Sequence, residues 1–257
     1  GIYILSGFLV GGIVGVTGVG GGSLMTPLLV LFFGIALTTA VATDLLYAAI
    51  TKAGGVLVHH RQRNIDWHLT GWLALGSLPA AVLTLWVLHT WNPDVHTLNA
   101  IIKRSLGFAL MLTALAIIFK QQLLNFAHKA APGWINMPRK AQLSATVVTG
   151  VVLGILVTLT SIGAGALGTV ALFMLYPLMK TTRLVGTEIA HAVPLTLIAG
   201  LGHAGLGNMD WHLLGNLLLG SLPGIYVGSR LSGGVPDKYL RPFLAVMLGI
   251  VGTKLVM

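Results

Sequence analysis

Long apolar runs separated by short polar breaks fill the chain from end to end. Ten are distinguishable, at about 2–16, 23–34, 36–58, 67–89, 98–119, 141–160, 165–179, 183–203, 211–230 and 239–257. Within each run the apolar residues are continuous rather than alternating, which predicts α-helices and argues against a β-barrel. A spanning helix needs about 20 residues. The first, second and seventh runs are shorter, and a glycine cluster separates each short run from its partner. Such a pair is either two tilted spans or a helical hairpin that enters the membrane and turns back; the pattern leaves both open. The one long polar stretch, Lys120 to Gln142, predicts a linker. Residues 1–120 and 141–257 then form two transmembrane repeats, with 121–140 as a cytoplasmic linker.

The polar breaks are themselves duplicated. Thr17-Gly18-Val19-Gly20-Gly21-Gly22-Ser23 recurs 143 residues later as Thr160-Ser161-Ile162-Gly163-Ala164-Gly165-Ala166. Asn64-Ile65-Asp66-Trp67-His68 recurs 144 residues later as Asn208-Met209-Asp210-Trp211-His212, and Gly76-Ser77-Leu78-Pro79 recurs as Gly220-Ser221-Leu222-Pro223. Each copy carries five apolar runs. An odd number of crossings per copy inverts the second copy relative to the first.

Charge placement agrees with inversion. The loop after the third run carries Arg61 and Arg63, whereas its counterpart from Gly202 to Asp210 has no Lys or Arg. The turn from Gly34 to Ala40 is uncharged, whereas its counterpart carries Lys180 and Arg183. The positive-inside rule places Arg61, Arg63, Lys120, Lys129, Arg139, Lys140, Lys180, Arg183, Arg230, Lys238 and Arg241 inside. Only Lys103, Arg104 and Lys254 fall outside, and Lys52 lies within a span. Both termini are then outside.

Composition narrows the class. A soluble domain carries about a quarter charged residues; this chain of 257 has 8%, with 55% hydrophobic residues and a mean hydropathy of +0.89. An all-α polytopic membrane protein follows. The net charge of +9 reflects loop topology rather than nucleic-acid binding, since no basic face carries interleaved aromatics. The absence of cysteine removes disulfides, thiolate metal sites and thiol catalysis. No cleavable signal peptide is evident.

The glycine clusters are the first candidate chemistry. Glycine costs about 1 kcal/mol in a helix interior relative to alanine, so four in the five positions 18 to 22 break a helix. Lipid cannot satisfy freed backbone N–H groups. The amides near Ser23 and Ala166, with the hydroxyls of Thr17, Ser23, Thr160 and Ser161, therefore suit an anion. The alternative is close helix packing through small residues.

Ionisable side chains also lie within the runs. Asp44 and its repeat counterpart Glu188 are each followed three residues on by Tyr47 and His191, on the same helix face. Intramembrane acids line cavities and carry protons, and histidine titrates near physiological pH. Asp44, Glu188 and His191 are thus candidate proton carriers, unless the acids only favour helix N-termini. Lys52 needs a partner, either Asp44 or a bound anion, unless it snorkels to the interface. The Asn-x-Asp-Trp-His copies read as turns and helix caps, and the Gly-Ser-Leu-Pro copies as kinks or small-residue contacts. His59-His60 lacks ligand partners, and the first glycine cluster lacks the Lys-Ser/Thr of a nucleotide loop. No metal site, cofactor site or catalytic constellation is expected.

The Gly20-Gly21-Gly22 cluster followed by Pro27, with a weaker copy at Gly163 and Gly165 and a duplicated apolar layout, resembles the TauE/SafE family of bacterial membrane permeases across essentially the whole chain. The resemblance implies transport of a small sulfur-containing anion such as sulfite or an organosulfonate across the bacterial inner membrane. Ala164 and Ala166 interrupt the glycines of the second copy, a departure from the family pattern.

The expectation is a secondary transporter, an exporter, whose anion sits near the bilayer midplane. Its substrate-binding residues are Thr17, Gly18, Gly20, Gly21, Gly22, Ser23, Lys52, Thr160, Ser161, Gly163 and Gly165, and its partners are the lipid bilayer, the anion and protons. An anion channel is the alternative, with an intramembrane enzyme or a non-transporting protein behind it.

Overall fold

A computed structural model describes residues 1–17, 25–231 and 237–257. Among these are eleven α-helices and no strand. They are α1 (Ile2–Thr17), α2 (Met25–Phe33), α3 (Leu37–Arg61), α4 (Trp67–Trp91), α5 (Val95–Ile118), α6 (Lys120–Ile135), α7 (Arg139–Thr160), α8 (Ala166–Leu175), α9 (Thr181–Gly205), α10 (Trp211–Leu231) and α11 (Asp237–Val256). Among the described residues, α3, α4, α5, α7 and α9 are long and apolar enough to cross a membrane. Each of the ten apolar runs is a helix.

The eleventh helix, α6, occupies most of the expected linker. Residues 120–135 are helical because one face is apolar: Ala127 and Ala131, four positions apart, are buried against α5 and α8. His128 also meets Phe173 of α8 edge-on, with ring centroids 5.8 Å apart. Of the prolines and charges that suggested an open linker, Pro132 lies in the last turn of α6, whereas Pro138, Arg139 and Lys140 follow it at the start of α7.

The duplicated motifs play matched structural roles. Asp66 caps α4 by accepting the Leu69 N–H at 3.0 Å, and Asp210 caps α10 by accepting the Leu213 N–H at 2.9 Å. The Gly-Ser-Leu-Pro copies lie inside α4 and α10, where helices press together. A Cβ on Gly76 would lie 2.1 Å from the Val147 carbonyl of α7, and one on Gly220 would lie 1.8 Å from the Ile4 carbonyl of α1. Val147 and Ile4 are themselves repeat equivalents, so one backbone-to-backbone contact occurs twice. Only glycine permits it.

The long helices α3 and α9 pack on each other at the centre. Gly200 faces Leu46, whereas Gly55 faces Ile189. As α3 advances its α9 neighbours recede, so these two equivalent helices run antiparallel. In contrast α4 and α7 run parallel, with Leu73 meeting Gly150 and Ser77 meeting Gly154. Helix α5 packs on α11. Large side chains are abundant on the outside, including Trp86, Phe108 and Leu219, as a lipid-facing surface requires.

Candidate functional site

The interface of α3 and α9 carries the buried charge. Asp44 is fully buried, and Glu188 and His191 are nearly so. Two short helices begin beside the two acids. In the first turn of α2, the Thr26 hydroxyl donates to Asp44 Oδ2 at 2.6 Å. In the first turn of α8, Gly168 packs so closely on Glu188 that an added Cβ would lie 3.0 Å from Oε1. A proline at position 27 suits such a first turn, where its missing N–H is no loss.

The second glycine cluster is a backbone interruption at this place. Helix α7 stops at Thr160 and α8 starts at Ala166. Ser161 adopts the left-handed region at φ 63°, and Gly163 has φ 118°, which a side chain would resist. Thr160 is consumed by the turn itself: its hydroxyl donates to the Leu156 carbonyl at 2.6 Å and accepts the Ile162 N–H at 3.0 Å. The Gly168 and Thr169 N–H groups are paired with the carbonyls of Gly163 and Gly165, both at 2.9 Å. The amides of Ala166 and Leu167 precede any intrahelical acceptor. Gly165 is the residue that enters α8. The buried Ser161 hydroxyl is within interaction range of Asp44 yet makes no hydrogen bond of full geometry among the described residues.

Lys52 reaches the same centre. Its Nζ lies 3.9 Å from Glu188 Oε2, and its side chain is only 11% exposed. It pairs with Glu188 rather than with Asp44, because antiparallel packing sets the second half of α3 against the first half of α9. Its ammonium donates no hydrogen bond among the described residues, and its charge is felt at Asp44, Glu188 and His191. Snorkelling to the interface does not describe it.

His191 Nε2 is 2.6 Å from the Ser77 hydroxyl of α4. At the equivalent place in the other half, Tyr47 of α3 faces Ser221 of α10. Ser77 and Ser221 were not singled out as functional residues, although their motif was. Duplication flagged the positions, but only helix packing reveals that each serine meets the residue one turn after the acid. Of the expected binding residues, Lys52, Ser161, Gly163 and Gly165 lie at or beside the buried acids, and Thr160 lies in the turn that leads there. Thr17 ends α1. Gly18, Gly20, Gly21, Gly22 and Ser23 lie outside the described residues. No group of three or more metal-ligating side chains occurs among the described residues.

Away from this centre, Asp66 ties the α3–α4 loop to α9. Its N–H donates to the Thr187 hydroxyl at 3.0 Å, and its carboxylate lies 3.7 Å from Arg183.

A polytopic helical protein with charge buried between its central helices is a membrane transporter in outline, and comparison with known proteins gives the family. Residues 3–255 match the family model described as "Sulfite exporter TauE/SafE", and the chain belongs to this family of membrane transporters. It is 42% identical over 254 residues to "Probable membrane transporter protein YjnA" of Bacillus subtilis (strain 168), covering 98% of each chain. It is 29% identical to "Probable membrane transporter protein YdhB" of the same organism, covering 99% of each. A relative from Methanocaldococcus jannaschii, "Probable membrane transporter protein MJ0441", is 25% identical, over 98% of this chain and 93% of its own. No solved structure matches the chain. The protein is thus a multi-pass membrane transporter.

Proposed function

We propose that this transporter is a proton-coupled secondary carrier that exports a small sulfur-containing anion, such as sulfite or an organosulfonate, across the bacterial inner membrane. The observation that carries the reading is the meeting of a broken helix with buried charge. Ser161, in the interruption between α7 and α8, neighbours Asp44, and α8 begins against Glu188. Amides at a helix start favour negative charge, and Lys52 adds a cation 3.9 Å from Glu188.

Charge balance supports the proton. The centre holds two carboxyl groups, Asp44 and Glu188, and one ammonium, Lys52. Adding an anion while both acids are ionised leaves excess negative charge in a low-dielectric interior, at a cost on the order of several kcal/mol. A proton taken up with the anion, on Asp44 or Glu188 or relayed by His191, removes that cost. The two halves are inverted repeats in this reading. The antiparallel run of α3 on α9 and the twice-made glycine contact support that symmetry, and rocking of one half against the other gives alternating access.

The test is uptake of radiolabelled sulfite and methanesulfonate into proteoliposomes. Saturable uptake that grows with an imposed proton gradient is expected, and Lys52→Met abolishes it. Unitary conductance steps in planar bilayers would instead make the protein a channel.

A further inference from the structure

Helices joined by a short turn normally pack on each other. Helices α4 and α5 are joined by Asn92, Pro93 and Asp94 alone, yet they scarcely touch. Between them, floored by α7, lies a groove of about 560 Å³. That is within the range of small-molecule sites, roughly 300–1,000 Å³. Its walls include Leu83, Val87 and Trp91 of α4, Ile101 of α5, and Val151 and Ile155 of α7. The one hydroxyl among the lining side chains, on Thr84, donates to the Ala80 carbonyl of its own helix at 2.7 Å. The groove is thus built for an apolar occupant.

The other half shows why it opens. Helix α1 lies directly on α10 at Gly224 and Gly228, where an added Cβ would come within 2.2 Å of the Phe8 carbonyl and 2.1 Å of the Gly12 carbonyl. The repeat equivalents are Ala80 and Thr84, and both line the groove. Their side chains hold α7 off α4 beyond Ser77, which still meets Gly154. The groove follows α4 from Leu75 to Trp91, about 24 Å at helical rise. One leaflet of hydrocarbon is about 15 Å deep, so an extended acyl chain fits along it. Trp91, at the end of α4, suits the membrane interface.

Two cations stand near this end. Lys103 and Arg104, the adjacent pair that runs against the positive-inside pattern, lie about 13 Å into the spanning helix α5. Both are exposed, and neither makes an ion pair or hydrogen bond among the described residues. Arg104 follows Ile101 by three residues, on the same side of α5 as the groove. Bare cations within a span call for a counter-charge, and the bilayer itself can supply one.

We propose that this groove binds an acyl chain of an anionic phospholipid, and that Arg104 pairs with the lipid's phosphate while Lys103 adds charge beside it. The acyl chain fills the gap between α4 and α5, and the phosphate meets a guanidinium suited to bidentate pairing. A second copy of this chain, with its net charge of +9, answers the two cations less well.

The test uses purified full-length protein in detergent, with phosphatidylglycerol or phosphatidylcholine added. Native mass spectrometry counts retained lipid, and thermal unfolding reads its effect. Phosphatidylglycerol should be retained and should raise the melting temperature at lower concentration than phosphatidylcholine. Arg104→Gln should raise the phosphatidylglycerol concentration needed for half the shift by about tenfold and leave the phosphatidylcholine response unchanged. Thr84→Phe fills the groove and should remove both responses, while the melting temperature without lipid holds or rises. Equal responses to the two lipids, with Arg104→Gln silent, would overturn the proposal. So would an intact lipid response in Thr84→Phe. A dimer that Thr84→Phe converts to monomer, with no lipid retained by either form, would assign the groove to a second copy and overturn it as well.

Discussion

The two halves of this molecule place equivalent residues at equivalent points and then use them differently. In the first, Asp44 accepts from Thr26, Tyr47 neighbours Ser221, and Lys52 reaches across to the other half. In the second, Glu188 faces that lysine, and His191 is locked to Ser77. The counterpart of Lys52 is Thr196, whose hydroxyl returns to carbonyls of its own helix, Ala192 at 2.7 Å and Val193 at 3.3 Å. A shared scaffold therefore carries a tyrosine–serine neighbour pair in one half and a histidine–serine pair in the other, with the lysine in the first half alone. Duplication supplies the scaffold, and a few side chains have diverged on it.

The largest effect should come from destroying what the halves share. Gly220→Leu forces a side chain into the Ile4 backbone of α1, and Gly76→Leu does the same against Val147 of α7. Overpacking a tight contact costs about 1–3 kcal/mol and more where only backbone can yield. Both variants should fail to give monodisperse protein by size-exclusion chromatography, and survival of only one would break the structural equivalence.

Next in size is the charge that the halves do not share. Lys52→Met should abolish anion uptake while the protein still folds, although Glu188 loses its cation. The double variant Lys52→Met/Glu188→Gln should be more stable than Lys52→Met alone, because it no longer strands a buried carboxylate. Thermal unfolding in detergent reads the difference.

A swap sharpens the contrast further. His191→Tyr makes the second half resemble the first. It should retain folding and change the pH profile of transport, which proteoliposome uptake across a pH series would record. An unchanged profile would remove His191 from proton handling.

The smallest effect lies at the caps. Asp66→Ala should lower stability by about 1–2 kcal/mol and Asp210→Ala by about 1 kcal/mol, since Asp66 adds a partly exposed pairing with Arg183 to its cap. Equal losses would show that the Arg183 contact contributes nothing.

Much of this was legible in the chain because membrane helices are long and uniformly apolar. The ten runs, the matched Asp44 and Glu188, and the caps at Asp66 and Asp210 all follow from local pattern. Helix α6 was not legible as a helix. Its apolar face is short, and its burial depends on α8, which is near only after folding. The Ser77–His191 bond was illegible for a related reason. The residues are 114 positions apart, and nothing local pairs α4 with α9. Lys52 shows the limit of periodicity as well, for its helix face was readable and its partner was not.

Proton-gradient-driven uptake of radiolabelled sulfite, compared between wild type and Lys52→Met in the same proteoliposome preparation, bears most directly on the central role of the buried centre. The account predicts saturable, gradient-dependent accumulation by the wild type and none by the variant. Equal uptake by both, or uptake indifferent to the gradient, would contradict it.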